Sequence, residues 1–299
     1  MQKKQHTVLV VVVILGLAAL VLGIVITAAL ALKGLPLGLS WQDKIGVIPI
    51  EGTITKSDVV VSQLVEFKKD RSVKAIILRV NSPGGGVAPS QEIYREIRKT
   101  KEKKKIVASM GSVAASGGYY IASAADRIVA SPGTLTGSIG VLMEFVRLEE
   151  LMEKIGIDIE VLKSGQFKDI GSPHRKLTEQ DQEMIRTLIF DIQNQFVEAV
   201  AEGRNLSMDK VREIADGRIF SGSQSLELGL VDQLGNFQDA VDLAKSMAGM
   251  KGEVSLVYPK KARVSLWNLV AEGAIRSVYG ALKDALGLRI AYRWERPLQ

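Results

Sequence analysis

Ser116 stands where a serine can become a nucleophile. In KIVASMGSVAASGGYY, residues 105–120, an apolar run of strand character gives way to small residues, and the serine sits where a helix would begin. A sharp strand-to-helix turn lifts a hydroxyl out of the core, and the amides that open the helix point at a developing oxyanion. The pattern approaches the G-x-S-x-G nucleophile elbow, with Gly118 in place but Ala114 where the first glycine would stand. Packing is the competing explanation, because Ala114, Ala115, Gly117 and Gly118 are also the residues that let a helix lie close to a sheet.

The supply of bases is narrow. The chain has two histidines, His6 and His174, and no cysteine. Thiol catalysis, disulfides and Cys-containing zinc sites are excluded, and a single histidine beyond the N-terminal apolar run argues against a His-rich metal centre, so neither metal nor cofactor is expected. A Ser-His-Asp triad would have to use His174, which otherwise reads as a polar loop residue in SPHRK. A lysine is the other candidate. At pH 7 only about one free lysine in a few thousand is neutral, given a pKa near 10.4, so a lysine base must be desolvated. VLKSGQFKDIGSP offers Lys163 at a strand end and Lys168 in the loop that follows.

Gly84, Gly85 and Gly86 in RVNSPGGGV follow the apolar run AIILRV. Such a turn suits close approach of backbone to a ligand, a phosphate included. Neither G-x-x-x-x-G-K-[ST] nor G-x-G-x-x-G is present, which weakens the phosphate reading.

The elements that must position these residues are those of a layered α/β fold. Strand candidates KIGVIPI, KAIILRV, KIVASM, RIVA, IGVLM and IDIEVL alternate with helical patterns. One long helix is announced by Thr178 and Asp181, set as a capping box. Its apolar stripe, Met184, Ile185, Leu188, Ile189, Ile192, Phe196 and Val200, suits core packing or an oligomer contact. Residues 43–250 are expected to form one catalytic domain with a core sufficient to fold without disulfides.

At the N-terminus, Lys3 and Lys4 precede an uncharged run from Thr7 to Leu32. As a helix it would extend about 39 Å, enough to cross a hydrocarbon core of roughly 30 Å with some tilt. Residues 1–32 therefore read as a cytoplasmic tip and membrane anchor rather than a cleaved leader, and the flanking lysines place the domain outside the cytoplasm. Residues 33–42 read as a linker. Within 251–299, after a strand, Leu266, Leu269, Val270, Ala274, Val278 and Leu282 recur at helical spacing among Arg263, Arg276, Lys283, Arg289, Arg293 and Arg296, the pattern of a basic amphipathic helix. The net charge of +6 is spread along the chain rather than gathered around aromatic motifs, so nucleic acid is not an expected partner.

Four blocks, RVNSPGGGV (79–87), MGSVAASGGYYIASAADRIVASPGTLTGSIGV (110–141), KSGQFKDIGSP (163–173) and ADGRIFSGSQSLELGLVDQLG (215–235), resemble the signal peptide peptidase A family of membrane-bound Ser/Lys proteases, in its short form with one catalytic domain. The resemblance implies a Clp-protease/crotonase-like fold, with Ser116 as nucleophile and Lys168 as general base. It also implies that Ser138 in LTGSIG orients the lysine amine, and that amides at Gly84, Gly85 and Gly117 form the oxyanion hole. Lys163 then becomes a bland lysine. Implied further are peptide substrates in the form of signal-peptide remnants, a single-pass location in a bacterial cytoplasmic membrane, and homo-oligomeric rings that share the dyad between protomers. Two other classes stay open on the residues alone: a crotonase-like acyl-CoA enzyme, which also uses paired amides as an oxyanion hole, and a noncatalytic anchored scaffold.

Overall fold

A computed structural model of the 299-residue chain describes residues 15–26, 43–259 and 289–293. The chain divides into two units, residues 1–42 and 43–299. In the first, residues 15–26 form helix α1 with exposed side chains, and the rest of the apolar run from Thr7 to Leu32 lies outside the described residues. Among the described residues no helix is long and apolar enough to cross a membrane.

The second unit runs β1 (Lys44–Glu51), α2 (Asp58–Lys69), β2 (Val73–Ser82), β3 (Gly84–Gly86), α3 (Val87–Lys101), β4 (Lys105–Ala115), α4 (Gly117–Ser123), β5 (Arg127–Ala130), β6 (Leu135–Gly137) and β7 (Leu142–Glu144). It continues with α5 (Glu149–Lys154), α6 (Glu179–Arg204), α7 (Met208–Ile214), β8 (Ile219–Ser221), α8 (Gly222–Glu227), β9 (Gln233–Leu234), α9 (Phe237–Met247), β10 (Ser255–Val257) and β11 (Arg289–Arg293). This is the α/β layering that the sequence predicts. The main sheet has the order β10-β1-β2-β4-β5-β9, and every neighbouring pair along that path is parallel.

Parallel strands covered on both faces read as continuous apolar runs. Alternate residues serve opposite faces. Ile48, Ile76, Leu78 and Ile106 pack with Leu64 of α2, Ile93 of α3 and Phe196 of α6, whereas Ile45, Val47, Ile77 and Val107 pack with Ala240 and Val241 of α9. Strand β4 outruns its neighbour β5. Its first half pairs β5 through Val107–Ser109, and its second pairs β6 through Val113–Ala115. That second half carries the chain to Ser116.

Three stretches differ from expectation or divide it. IDIEVL, predicted as a strand, is irregular and exposed, and Lys163 and Lys168 both lie on the irregular segment after it. Its alternating apolar residues find no sheet partner among the described residues. The apolar stripe of α6 splits: Ile185, Ile192, Phe196 and Val200 are buried, while Met184 and Leu188 are exposed. The helical stripe from Leu266 to Leu282 lies outside the described residues, and beyond it Arg289–Arg293 is a strand. That strand, β11, lies antiparallel between β3 and β7 in a second, three-stranded sheet.

Candidate active site

Ser116 occupies the turn between β4 and α4 with φ 54° and ψ −121°. A non-glycine residue with positive φ is held there by its surroundings, and such strain gathers at functional sites. Two backbone bonds hold it: the Ser116 amide donates to Gly137 O at 2.8 Å, and its carbonyl accepts from the Tyr120 amide at 2.8 Å. The residue is 1% exposed. Every residue of α4 is buried. Burial pushes the Tyr119 phenol well above its ordinary range and that of Tyr120 up to about 12.

Strand register explains why Ser138 belongs here. In the parallel pair β4–β6, Ala115 faces Gly137, so the next residue of each strand is a serine. Both serines leave their strands with positive φ, 54° at Ser116 and 50° at Ser138. Ser138 is held by its own amide, which donates to Arg218 O at 2.8 Å.

The three glycines meet the same point from β3. Ser82 stations them: its hydroxyl donates to Gly52 O at 2.6 Å and accepts from the Gly84 amide at 3.1 Å. Gly84 then turns with φ 101°. Ile54 clamps the far edge, donating to Gly84 O and accepting from the Gly86 amide, both at 2.8 Å. Because N–H and C=O directions alternate along a strand, those two bonds turn the N–H and C=O of Gly85 to the opposite edge. A Cβ on Gly85 would lie 2.1 Å from Ile54 O, so only glycine fits. A Cβ on Gly117 would stand 3.2 Å from the Gly85 nitrogen and 2.7 Å from Ser90 Oγ. The amides at 85 and 117 are therefore neighbours beside Ser116.

On the edge to which Gly85 turns lies β11, with Tyr292 opposite Gly85 and Arg293 opposite Gly84. Its other side pairs Arg289 with Glu144 and Ala291 with Leu142. Extended backbone thus runs directly past the glycine amides.

Lys168 is placed differently. It is exposed, on a segment held by turns such as Ile170 N to Phe167 O at 3.1 Å. Among the described residues its ammonium has no hydrogen-bond or ion-pair partner, and nothing joins it to Ser116 or Ser138. Lys163 donates to Asp169 Oδ1 at 2.7 Å and to Gln166 O at 3.0 Å. His174 lies apart from the serines, in a cavity of about 600 Å³ with Glu149, Glu153 and Asp158, its Nε2 buried without a partner. The structure thus brings Ser116, Ser138, Gly84, Gly85 and Gly117 together and leaves Lys168 outside that cluster. Sequence reasoning missed Ile54 and Ser82, whose roles arise from contacts distant in sequence and leave no local pattern. It also missed Arg175, which bonds both Asp169 and Asp181.

Residues 98–251 match peptidase family S49, and residues 44–144 match the N-terminal domain of NfeD1b. A Synechocystis protein that carries a protease name is 45% identical over 263 residues, 87% of this chain and 93% of that protein. An Enterococcus faecium protein named for signal peptide peptidase SppA is 43% identical over 185 residues, 62% of this chain and 54% of its own length. The chloroplast serine protease SPPA of Arabidopsis thaliana is 34% identical over 263 residues, 83% of this chain and 39% of its own. The chain thus spans nearly all of the first relative and about half or less of the other two.

Proposed function

Because the chain belongs to peptidase family S49, we propose that it is a membrane-anchored serine endopeptidase whose nucleophile is Ser116 and whose general base is Lys168. The observation that carries this reading is the convergence of a strained, buried serine with the Gly85 and Gly117 amides. Ser116 Oγ attacks the scissile carbonyl and Lys168, neutral, takes its proton. The two amides receive the oxyanion, and Gly84 supplies the turn that aims them. Lys168 then protonates the leaving amine, and water activated by the same lysine releases the acyl-enzyme. Ser138 hydrogen-bonds the lysine amine and orients it.

Peptide would enter as an added strand along β3, since extended chain already lies there. In this structure the slot holds the protein's own residues 289–293. Residues 7–32 anchor the chain in a bacterial cytoplasmic membrane with the domain extracytoplasmic. Apolar signal-peptide remnants fit such a location, and the name of the Enterococcus relative favours them.

A lysine base needs desolvation, and Lys168 is exposed, so the base must be completed by something that covers it. The segment that carries Lys168 is also studded with exposed apolar side chains: Val146, Leu151, Ile155, Ile157, Leu162 at 93% and Phe167, with Phe190 at 64% on α6. Exposed apolar side chains gathered along one stretch of chain suit an interface. Its occupant is a second copy of the chain, in a ring where one protomer's Lys168 reaches its neighbour's Ser116.

Hydrolysis of an apolar fluorogenic peptide by the full chain in detergent tests the reading, alongside Ser116→Ala, Lys168→Ala, Lys163→Ala and His174→Ala. Activity should be lost in the first two, with folding intact, persist in His174→Ala and fall only in part in Lys163→Ala. Loss in His174→Ala with retention in Lys168→Ala would replace the base.

A further inference from the structure

Lys168 sits in a run of turns, and the residue after it, Asp169, is the carboxylate nearest to it in the sequence. Asp169 is engaged elsewhere. Its Oδ1 accepts from Arg175 Nη2 at 2.8 Å and from Lys163 Nζ at 2.7 Å, and the side chain is 9% exposed. Arg175 reaches a second carboxylate, donating through Nη1 to Asp181 Oδ2 at 2.5 Å. Asp181 is itself fixed, since the same oxygen accepts from the Thr178 amide at 2.9 Å in the capping box that opens α6. These contacts form a chain from Asp181, the buried residue in the otherwise exposed first turn of α6, through one guanidinium to the residue beside the proposed base.

A planar guanidinium with several donors can hold two carboxylates at once, which a single ammonium does far less well. The consequences appear in both acids. Hydrogen bonds from Arg175 and then Lys163 hold the Asp169 carboxyl well below the usual range, and Arg175, with the Thr178 amide, holds Asp181 down to about 2. The charged groups facing Asp169 are thus Lys163 on its own segment and Arg175, backed by Asp181 from α6. His174, one residue before Arg175, faces the separate cavity with Glu149, Glu153 and Asp158.

We propose that Arg175 is a positioning residue for the base: it ties the Lys168 segment to the start of α6 and, with Lys163, occupies Asp169 so that this carboxylate does not hold a proton on the Lys168 amine. The proposal rests on the Ser116/Lys168 reading above. It also gives Lys163, a bland lysine in the sequence, a defined task.

The test is the pH profile of kcat/KM for an apolar fluorogenic peptide, measured on the full chain and on Arg175→Ala, Arg175→Lys and the double variant Arg175→Ala/Asp169→Asn. Removing the guanidinium leaves Asp169 to Lys163 alone, and that partial release should move the acid limb of Arg175→Ala up, by as much as about one pH unit, the effect of an opposite charge placed beside a titrating group. Loosening the segment should also cost about 10- to 100-fold in kcat/KM. Removing the carboxylate in the double variant should return the acid limb to its wild-type place while most of the rate loss stays. A merely structural role would lower the rate with the limb unmoved and unresponsive to Asp169→Asn, and that result overturns the proposal. Should Arg175→Ala fail to fold, Arg175→Lys, which keeps the charge and gives up one of the two contacts, is read by the same limb. Lys168→Ala separates the two levels: full activity there ends the dyad reading itself, whereas an inactive Lys168→Ala with an unmoved limb in Arg175→Ala ends only this proposal.

Discussion

The two halves of the proposed dyad are built in opposite ways. Ser116 lies at the end of a strand paired on both sides, with its backbone in a strained conformation and the neighbouring glycine strand clamped by Ile54 and Ser82. Lys168 lies on an irregular segment rich in exposed apolar side chains and tied to α6 through Arg175 and Gln166. The difference teaches that the proposed nucleophile's surroundings are built within one chain while those of the proposed base are left open. A serine needs strain and aimed amides, which a sheet supplies. A lysine needs desolvation, which this segment can acquire only by being covered.

The sharpest way to break that contrast is to disturb each half at a glycine. Gly85→Ala would drive a Cβ to 2.1 Å from a backbone carbonyl and displace an oxyanion donor, and should lower kcat by about 100- to 1000-fold. Gly165→Ala, where nothing lies within 4 Å, should leave the thermal midpoint within about a degree or two. A Gly85→Ala variant that kept both its kcat and its thermal midpoint, as Gly165→Ala keeps its midpoint, would contradict the contrast.

Covering the apolar segment is the next test. Leu162→Ser with Phe167→Ser should shift the protein to smaller species by light scattering and cut activity about tenfold or more, with the unfolding temperature of the domain little changed. A full-size assembly with full activity would show that this surface is not the interface.

Slot occupancy by β11 predicts a smaller, opposite effect. Tyr292→Pro removes a backbone donor opposite Gly85, so it should open the slot and lower KM for a peptide about threefold or more, as the competent fraction rises. An unchanged KM would mean that β11 does not compete with substrate.

At the small end, Thr178→Ala should cost about 1 kcal/mol through the lost cap of α6. Asp181 titrates lower folded than unfolded, so its contribution is present above about pH 4 and lost as pH falls toward 2. The gap in melting temperature between wild type and Asp181→Asn should therefore close across that window, and a gap that widens on acidification would contradict the sign.

The sequence made the strand-to-helix placement of Ser116 readable because everything needed is local: an apolar run, small residues, then a helix. The capping box at Thr178 and Asp181 is local in the same way. IDIEVL misled because alternation signals a strand only when a partner covers one face, and residues 157–162 have none among the described residues. The α6 stripe predicted one apolar face but not that Met184 and Leu188 would stay uncovered while Ile192 and Phe196 sank into the core. Pairing of Ala115 with Gly137, which places Ser138 beside Ser116, is a register between strands more than twenty residues apart, and no local pattern encodes it.

The most direct test of a complete nucleophile and an incomplete base is to mix protomers. Ser116→Ala and Lys168→Ala proteins, each inactive alone, are dissociated, combined and reassembled, and peptide hydrolysis is measured. The shared-dyad account predicts that activity returns in the mixture, because one protomer's intact lysine can serve its neighbour's intact serine. No activity in a mixture shown to contain both chains in one assembly would place serine and lysine in the same protomer and contradict it.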